Sequence, residues 1–154
     1  MDEVVKLAAP WLPDAGTPEP HLLAGDTGPT MVVYRTAVVA PTDEEFAVLR
    51  FPVCQIVKFG YPNDEALPGH PLFSKGLSYY GLFEVLDSSW ITTLTEQNLV
   101  SFPNPGPSRP SRRHFVVTFH DSTLECIAER MEGRFAGSLK DAMQGNNDAT
   151  FTSI

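Results

Sequence analysis

The stretch from His114 to Glu129 constrains this chain more than any other. Phe115, Val117 and Phe119 alternate with Val116, Thr118 and His120. After a turn, Leu124, Cys126 and Ala128 alternate with Glu125, Ile127 and Glu129. A period of two is the signature of a strand with one buried face. The pattern predicts a hairpin turning at Asp121-Ser122, or a four-residue loop over residues 120–123, that pairs Phe119 with Leu124 and Val117 with Cys126. One face is then wholly apolar, and a slip of one residue would expose all of it. The opposite face sets His114 against Glu129, Val116 against Ile127 and Thr118 against Glu125.

Other segments extend the β reading. Met31 to Val39, Glu45 to Phe51, Val53 to Phe59 and Tyr80 to Leu86 are rich in apolar, β-branched and aromatic residues, as strands are. Residues 3–9 are short enough for a brief helix that Pro10 and Pro13 would end. Asp87 or Ser88 offers an N-cap to a second helix carrying Trp90, Ile91 and Leu94 on one face. Pro41-Thr42-Asp43 reads as a turn. Residues 60–75 and 103–110 are too rich in Gly and Pro for regular structure. The first of these loops is also too apolar to float free, and ordered loops of that length tend to carry function. Three regions follow: a Pro-rich arm over 1–30 with Trp11 docked on the body, one β-rich domain over 31–137, and a short tail over 138–154 that includes Gly145-Asn146-Asn147-Asp148. The fold class expected is α+β, predominantly β: a twisted antiparallel sheet or small open barrel with one or two short helices.

Composition narrows the functional classes. At 154 residues, 42% hydrophobic and 19% charged, the chain can bury a core without metals or disulfides, and it is not disordered in character. Its formal net charge of −8 would repel a phosphate backbone. The only basic cluster, Arg109, Arg112 and Arg113, lies among Pro and Ser without interleaved aromatics, so it reads as a solvated loop and no nucleic-acid partner is expected. No apolar run approaches the ~20 residues of a membrane span, and no signal peptide is visible, so a cytoplasmic protein without a membrane partner is expected. Cys54 and Cys126 sit in apolar runs and read as two reduced core thiols.

No phosphate loop, dinucleotide fingerprint, paired-histidine zinc motif or nucleophile elbow occurs, and two cysteines cannot make a four-thiolate zinc site. Neither a metal nor a cofactor is expected. Of the four histidines, His21 lies in the arm and His114 has a cross-strand partner. His70, in the apolar loop, and His120, at the hairpin turn, remain as acid–base or ligand candidates. His120-Asp121-Ser122 holds the residue types of a triad, but adjacent residues cannot converge as one. Glu84 shares a strand face with Leu82 and Leu86, so burial of that face would demand a partner for it. Asn63, Asp64 and Glu65 suit turn capping better than cation binding, because they lack the spacing of a calcium loop.

The blocks Phe59 to Leu72, Tyr80 to Ile91 and His114 to Cys126 resemble a group of small uncharacterised bacterial proteins. That resemblance implies a bacterial origin and a common core over about residues 50 to 130, and it carries no activity, ligand or site. Two functional classes stay open. One is a non-catalytic binding or interaction protein whose partner is a protein or a small molecule, with a homo-oligomer as one form. Its recognition patch would lie around Trp11, Tyr79 and Tyr80. The other is a small-molecule or metal-dependent enzyme using His70, Glu84, His120 and Glu125. Convergence of those side chains on one concave pocket separates the two.

Overall fold

The computed structural model describes residues 1–38, 45–106, 111–144 and 150–154. The expected turn at Pro41-Thr42-Asp43, Arg109 with the end of the second proline loop, and Gly145-Asn146-Asn147-Asp148 lie outside the described residues.

In chain order the strands are β1 (Glu3–Lys6), β2 (His21–Leu23), β3 (Thr30–Arg35), β4 (Phe46–Phe51), β5 (Ile56–Gly60), β6 (Gly81–Leu86), β7 (Arg113–Thr118), β8 (Thr123–Ala128), β9 (Glu132–Ala136) and β10 (Thr152–Ser153), with helices α1 (Ser89–Ser101) and α2 (Leu139–Gln144). They build two five-stranded antiparallel sheets, β1-β6-β7-β8-β5 and β10-β9-β4-β3-β2. The architecture is α+β and predominantly β, in two sheets rather than one.

The sheets face each other across the main core. Val32, Tyr34, Leu49 and Phe51 come from the second sheet, and Leu82, Phe115, Val117, Leu124 and Cys126 from the first. Tyr34 meets Phe119 edge-on with ring centroids 5.0 Å apart, and Phe51 meets Phe115 at 6.0 Å. β3 and β4 lie inside their sheet and are covered on both faces, which is why both read as nearly continuous apolar runs.

Residues 1–30 supply an edge strand to each sheet. Glu3–Lys6 is a strand, not the expected helix: it pairs with β6, setting Val4 against Val85. A helix of so few residues has little intrinsic stability, whereas the open edge of β6 offers unpaired backbone groups to satisfy. β2 pairs with β3. Trp11 is buried, its Nε1–H donates to the Tyr34 hydroxyl at 2.6 Å, and its ring stands edge-on to Phe135. Gly133 is required there, because a β-carbon would overlap the Trp11 ring.

The hairpin forms with its faces as expected but its register shifted by two. Phe115 pairs with Cys126, Val116 with Glu125, Val117 with Leu124 and His114 with Ile127. The loop is Phe119 to Ser122, closed by the Phe119 N–H donating to the Ser122 carbonyl at 2.9 Å. A two-residue shift returns every side chain to its own face, so the apolar pattern is indifferent to it. His114 is therefore not opposite Glu129, nor Thr118 opposite Glu125.

Each sheet also carries a cover on its outer face. Over the first, Leu67, Leu72 and Leu77 of residues 61–80 pack on Val4, Phe83, Val85 and Val116. Each buried leucine contributes about 1.5–3 kcal/mol. Gly76 closes this cover at φ +114°, where a β-carbon would lie 2.7 Å from the Val4 carbonyl oxygen. Over the second sheet, Ala142 of α2 and Phe151 pack on Met31, Val33, Phe46, Val48 and Ala136. None of the described helices is long and apolar enough to cross a membrane.

Candidate functional site

The polar residues singled out in the sequence lie mostly between the first sheet and its cover. Pairing with Val116 puts Glu125 on the outer face of β8, beside Lys58 of β5. Its carboxylate receives two imidazoles. His70 Nε2 lies 3.2 Å from Oε1, and His114 Nε2 lies 3.1 Å from Oε2. Lys58 Nζ stands 3.9 Å from Oε1 and 3.7 Å above the centre of the Trp90 ring, which itself meets His114 edge-on at 5.1 Å.

Both imidazoles are held from their far sides as well. The Leu72 N–H donates to His70 Nδ1 at 3.2 Å. The Ser88 hydroxyl lies 2.9 Å from His114 Nδ1, while Ser88 Oγ accepts the Ile91 N–H as the N-cap of α1. Ser88 thus fills the N-cap position that its sequence context offered. This donor pattern puts the ring proton on Nε2 of each histidine, pointing at Glu125. Burial raises the Glu125 pKa, but hydrogen bonds from His114 and His70 and the charge of Lys58 outweigh it and hold the carboxyl well below its ordinary range.

His120 belongs to a second cluster. Its Nδ1 lies 2.8 Å from Asp64 Oδ2, and the same oxygen accepts the Tyr80 hydroxyl at 2.5 Å. The Asp64 N–H donates to the His120 carbonyl at 2.9 Å, so loop and hairpin turn are tied twice. The hydrogen bond and charge of Asp64 raise the His120 pKa. Asp64 is lowered, first by the Tyr80 hydroxyl and then by His120. His120 Nε2 lies at the surface, 3.9 Å from Asp121. Tyr80 sits in the left-handed region at φ +51°, a conformation uncommon for a residue other than glycine.

Glu84 joins neither cluster. Opposite Phe115, it is on the inner face of β6, at the rim, where Arg113 grips it with two hydrogen bonds of 2.7 Å. Arg112 donates to the Thr95 hydroxyl. The basic residues Arg112 and Arg113 are therefore engaged with the body rather than extended from a solvated loop. Asn63 caps its own turn by accepting the Ala66 N–H.

The structure thus brings His70 and Glu125 together, adds His114, and separates both from His120 and from Glu84. Sequence reasoning set His114 aside because the expected register gave it Glu129. It missed Asp64 and Tyr80 as partners of His120, since these contacts span sixteen to fifty-six positions and leave no local pattern. Among the described residues, no group of three or more His, Cys, Asp or Glu side chains is placed to hold a metal ion. No protein family, curated protein or solved structure matches the chain.

Proposed function

We propose that this is a non-catalytic binding protein, whose recognition surface is the cover of the first sheet and whose partner is a cationic peptide segment. The observation that supports this most is the commitment of the imidazoles. His70 and His114 each have both ring nitrogens in hydrogen bonds, His70 with Glu125 and the Leu72 N–H and His114 with Glu125 and Ser88, so neither offers a nitrogen to a metal without giving up one of these contacts. The work of His70 is to hold residues 61–80 on the sheet, with His114 fixing the Glu125 carboxylate that it bonds, and a preorganised loop binds at lower entropic cost.

What the loop presents suits a cation. Tyr61 is 83% exposed and Tyr79 41% exposed; Tyr79 packs against Tyr80, whose hydroxyl joins Asp64. Asp64, Glu65 and Asp121 act on His120, and the chain as a whole carries −8. Aromatic faces beside carboxylates attract lysine and arginine through ring quadrupole and charge together. Trp11, in the core, is not part of this surface.

Isothermal titration with arginine- and lysine-rich peptides tests the reading. We expect binding that weakens as salt rises and falls at least about tenfold in the Tyr61→Ala/Tyr79→Ala double variant. Equal binding by the double variant, or no binding by the wild type at low salt, would refute it. An acid–base enzyme is the second reading, and it rests on His120 alone, whose Nδ1 is fixed by Asp64 while Nε2 is at the surface.

A further inference from the structure

The chain passes between the sheets three times, from β1 to β2, from β4 to β5 and from β8 to β9, and the last two crossings meet. The Glu129 N–H donates to the Pro52 carbonyl at 3.2 Å. Beside them opens a groove of about 680 Å³ whose lining includes Asp26, Arg50, Val53, Cys54, Arg130 and Glu132. Arg50 and Arg130 both reach Glu132 there, at 2.5 and 2.7 Å. None of the residues of the His–carboxylate clusters lines this groove.

Cys54 is the chemically distinctive residue of this lining. It is not inside a strand, as its apolar neighbours suggested, but on the crossing, half-buried and open to the groove. Val53 before it adopts φ +52°, an unfavourable backbone for a β-branched residue that sets the direction of the turn. On its inner side Cys54 packs against the main core cluster that contains Cys126, and each thiol acts on the ionisation of the other. Both are free. One thiol therefore faces a groove while its neighbour is buried behind it, the arrangement of a reactive cysteine and a resolving one.

We propose that Cys54 is a hydroperoxide-reactive thiol and that Cys126 resolves it as an intramolecular disulfide. In the first step the Cys54 thiolate attacks the terminal peroxide oxygen. The S–O bond forms, the O–O bond breaks, sulfur is oxidised by two electrons, and the peroxide's other oxygen leaves as hydroxide or alkoxide and takes a proton from water. In the second step Cys126 sulfur attacks the Cys54 sulfenic sulfur. The S–S bond forms, the S–O bond breaks, and the departing hydroxide takes the Cys126 proton as water.

The surroundings favour this division of labour. Hydrogen bonds from the Cys126 thiol and the Thr30 hydroxyl outweigh the opposing effect of burial and bring the Cys54 pKa down to about 6. Burial pushes the Cys126 thiol well above its ordinary value. The outer sulfur is then the nucleophile and the inner one the proton carrier. As a neutral thiol, Cys54 Sγ is 3.5 Å from the Ile56 carbonyl, to which it donates.

The test uses the full chain, reduced, freed of reductant and exposed to hydrogen peroxide at pH 7. We expect the monomer to lose the mass of two hydrogen atoms, the peptide map to join Cys54 to Cys126, and the reaction to run about tenfold faster than that of glutathione. Cys126→Ser should stop at a sulfenic acid on Cys54 that dimedone traps, and Cys54→Ser should leave Cys126 unmodified. Retention of both thiols under peroxide that consumes glutathione would overturn the proposal, as would a disulfide between two copies. The wild-type map decides even if a variant does not fold, and it is independent of any peptide-binding result.

Discussion

The two covers lie on opposite outer faces of the same sandwich and are fastened by different chemistry. Over the first sheet, residues 61–80 are tied down by histidine–carboxylate pairs: His70 on Glu125, whose other oxygen is held by His114 of β7, and Asp64 on His120. Over the second, α2 is held through Arg134, whose guanidinium donates to the Asp141 carbonyl at 2.9 Å. Phe151 lies beneath the Arg50 and Arg134 guanidiniums at 4.0 and 5.4 Å. Arginine does not lose its charge in proteins. Both covers add three-layer burial; among the described residues the first is fastened by histidine–carboxylate pairs and the second by an arginine that also stands 3.7 Å from the Asp141 carboxylate. A fold can thus fasten covers on two similar sheets with different charged groups.

The comparison breaks first at Glu125. Its replacement by Ala leaves two imidazole N–H groups facing a buried gap, and we expect a loss of about 3 kcal/mol in urea denaturation. Hydrogen exchange should show amides of residues 61–80 losing protection before those of α2. Equal loss in both covers would mean that Glu125 supports the whole sandwich rather than one lid.

Acid sharpens the same contrast with a smaller effect. The Glu125 pKa is lower in the folded chain than in the unfolded one. Its contribution is therefore complete above the unfolded value of about 4.3 and is lost as pH falls from there toward the folded value. Exchange measured from pH 6 down to pH 3 should show the first cover loosening while the Arg134 tether of α2 persists. Smallest is Lys58→Ala. Lys58 is 56% exposed, so its charge is largely screened, and its loss over Trp90 and Glu125 should cost no more than about 1 kcal/mol in the same denaturation assay.

What the sequence shows of this molecule follows the range of each interaction. The hairpin faces were legible because Phe115, Val117, Leu124 and Cys126 alternate locally, and Ser88 was legible as a cap because a helix start is local. The register was not, since a two-residue shift preserves both faces and the choice fell to the Phe119–Ser122 closure. That shift moved His114 from Glu129 to the neighbourhood of Glu125, and with it the centre of the site. Glu3–Lys6 misled because a short amphipathic run supports either element until the β6 edge selects one. His70, His120 and Glu125 stood out as unusual polar residues. Asp64, Tyr80 and Ser88 were read for turn capping, a surface patch and a helix cap rather than as their partners, because convergence is a property of the folded chain. The contact of Cys54 with Cys126 was hidden for the same reason.

The strand order also governs when the molecule can come into being. β1 waits for β6, nearly the whole first half of the chain later, and β4 has no partner on one side until β9 is made. Neither sheet can be completed until its late strands have been made, so folding should proceed in milliseconds to seconds rather than microseconds. Until then the unpaired flanks of β1 and β4 are open to any passing strand, and this is the interval in which a holding chaperone would matter most.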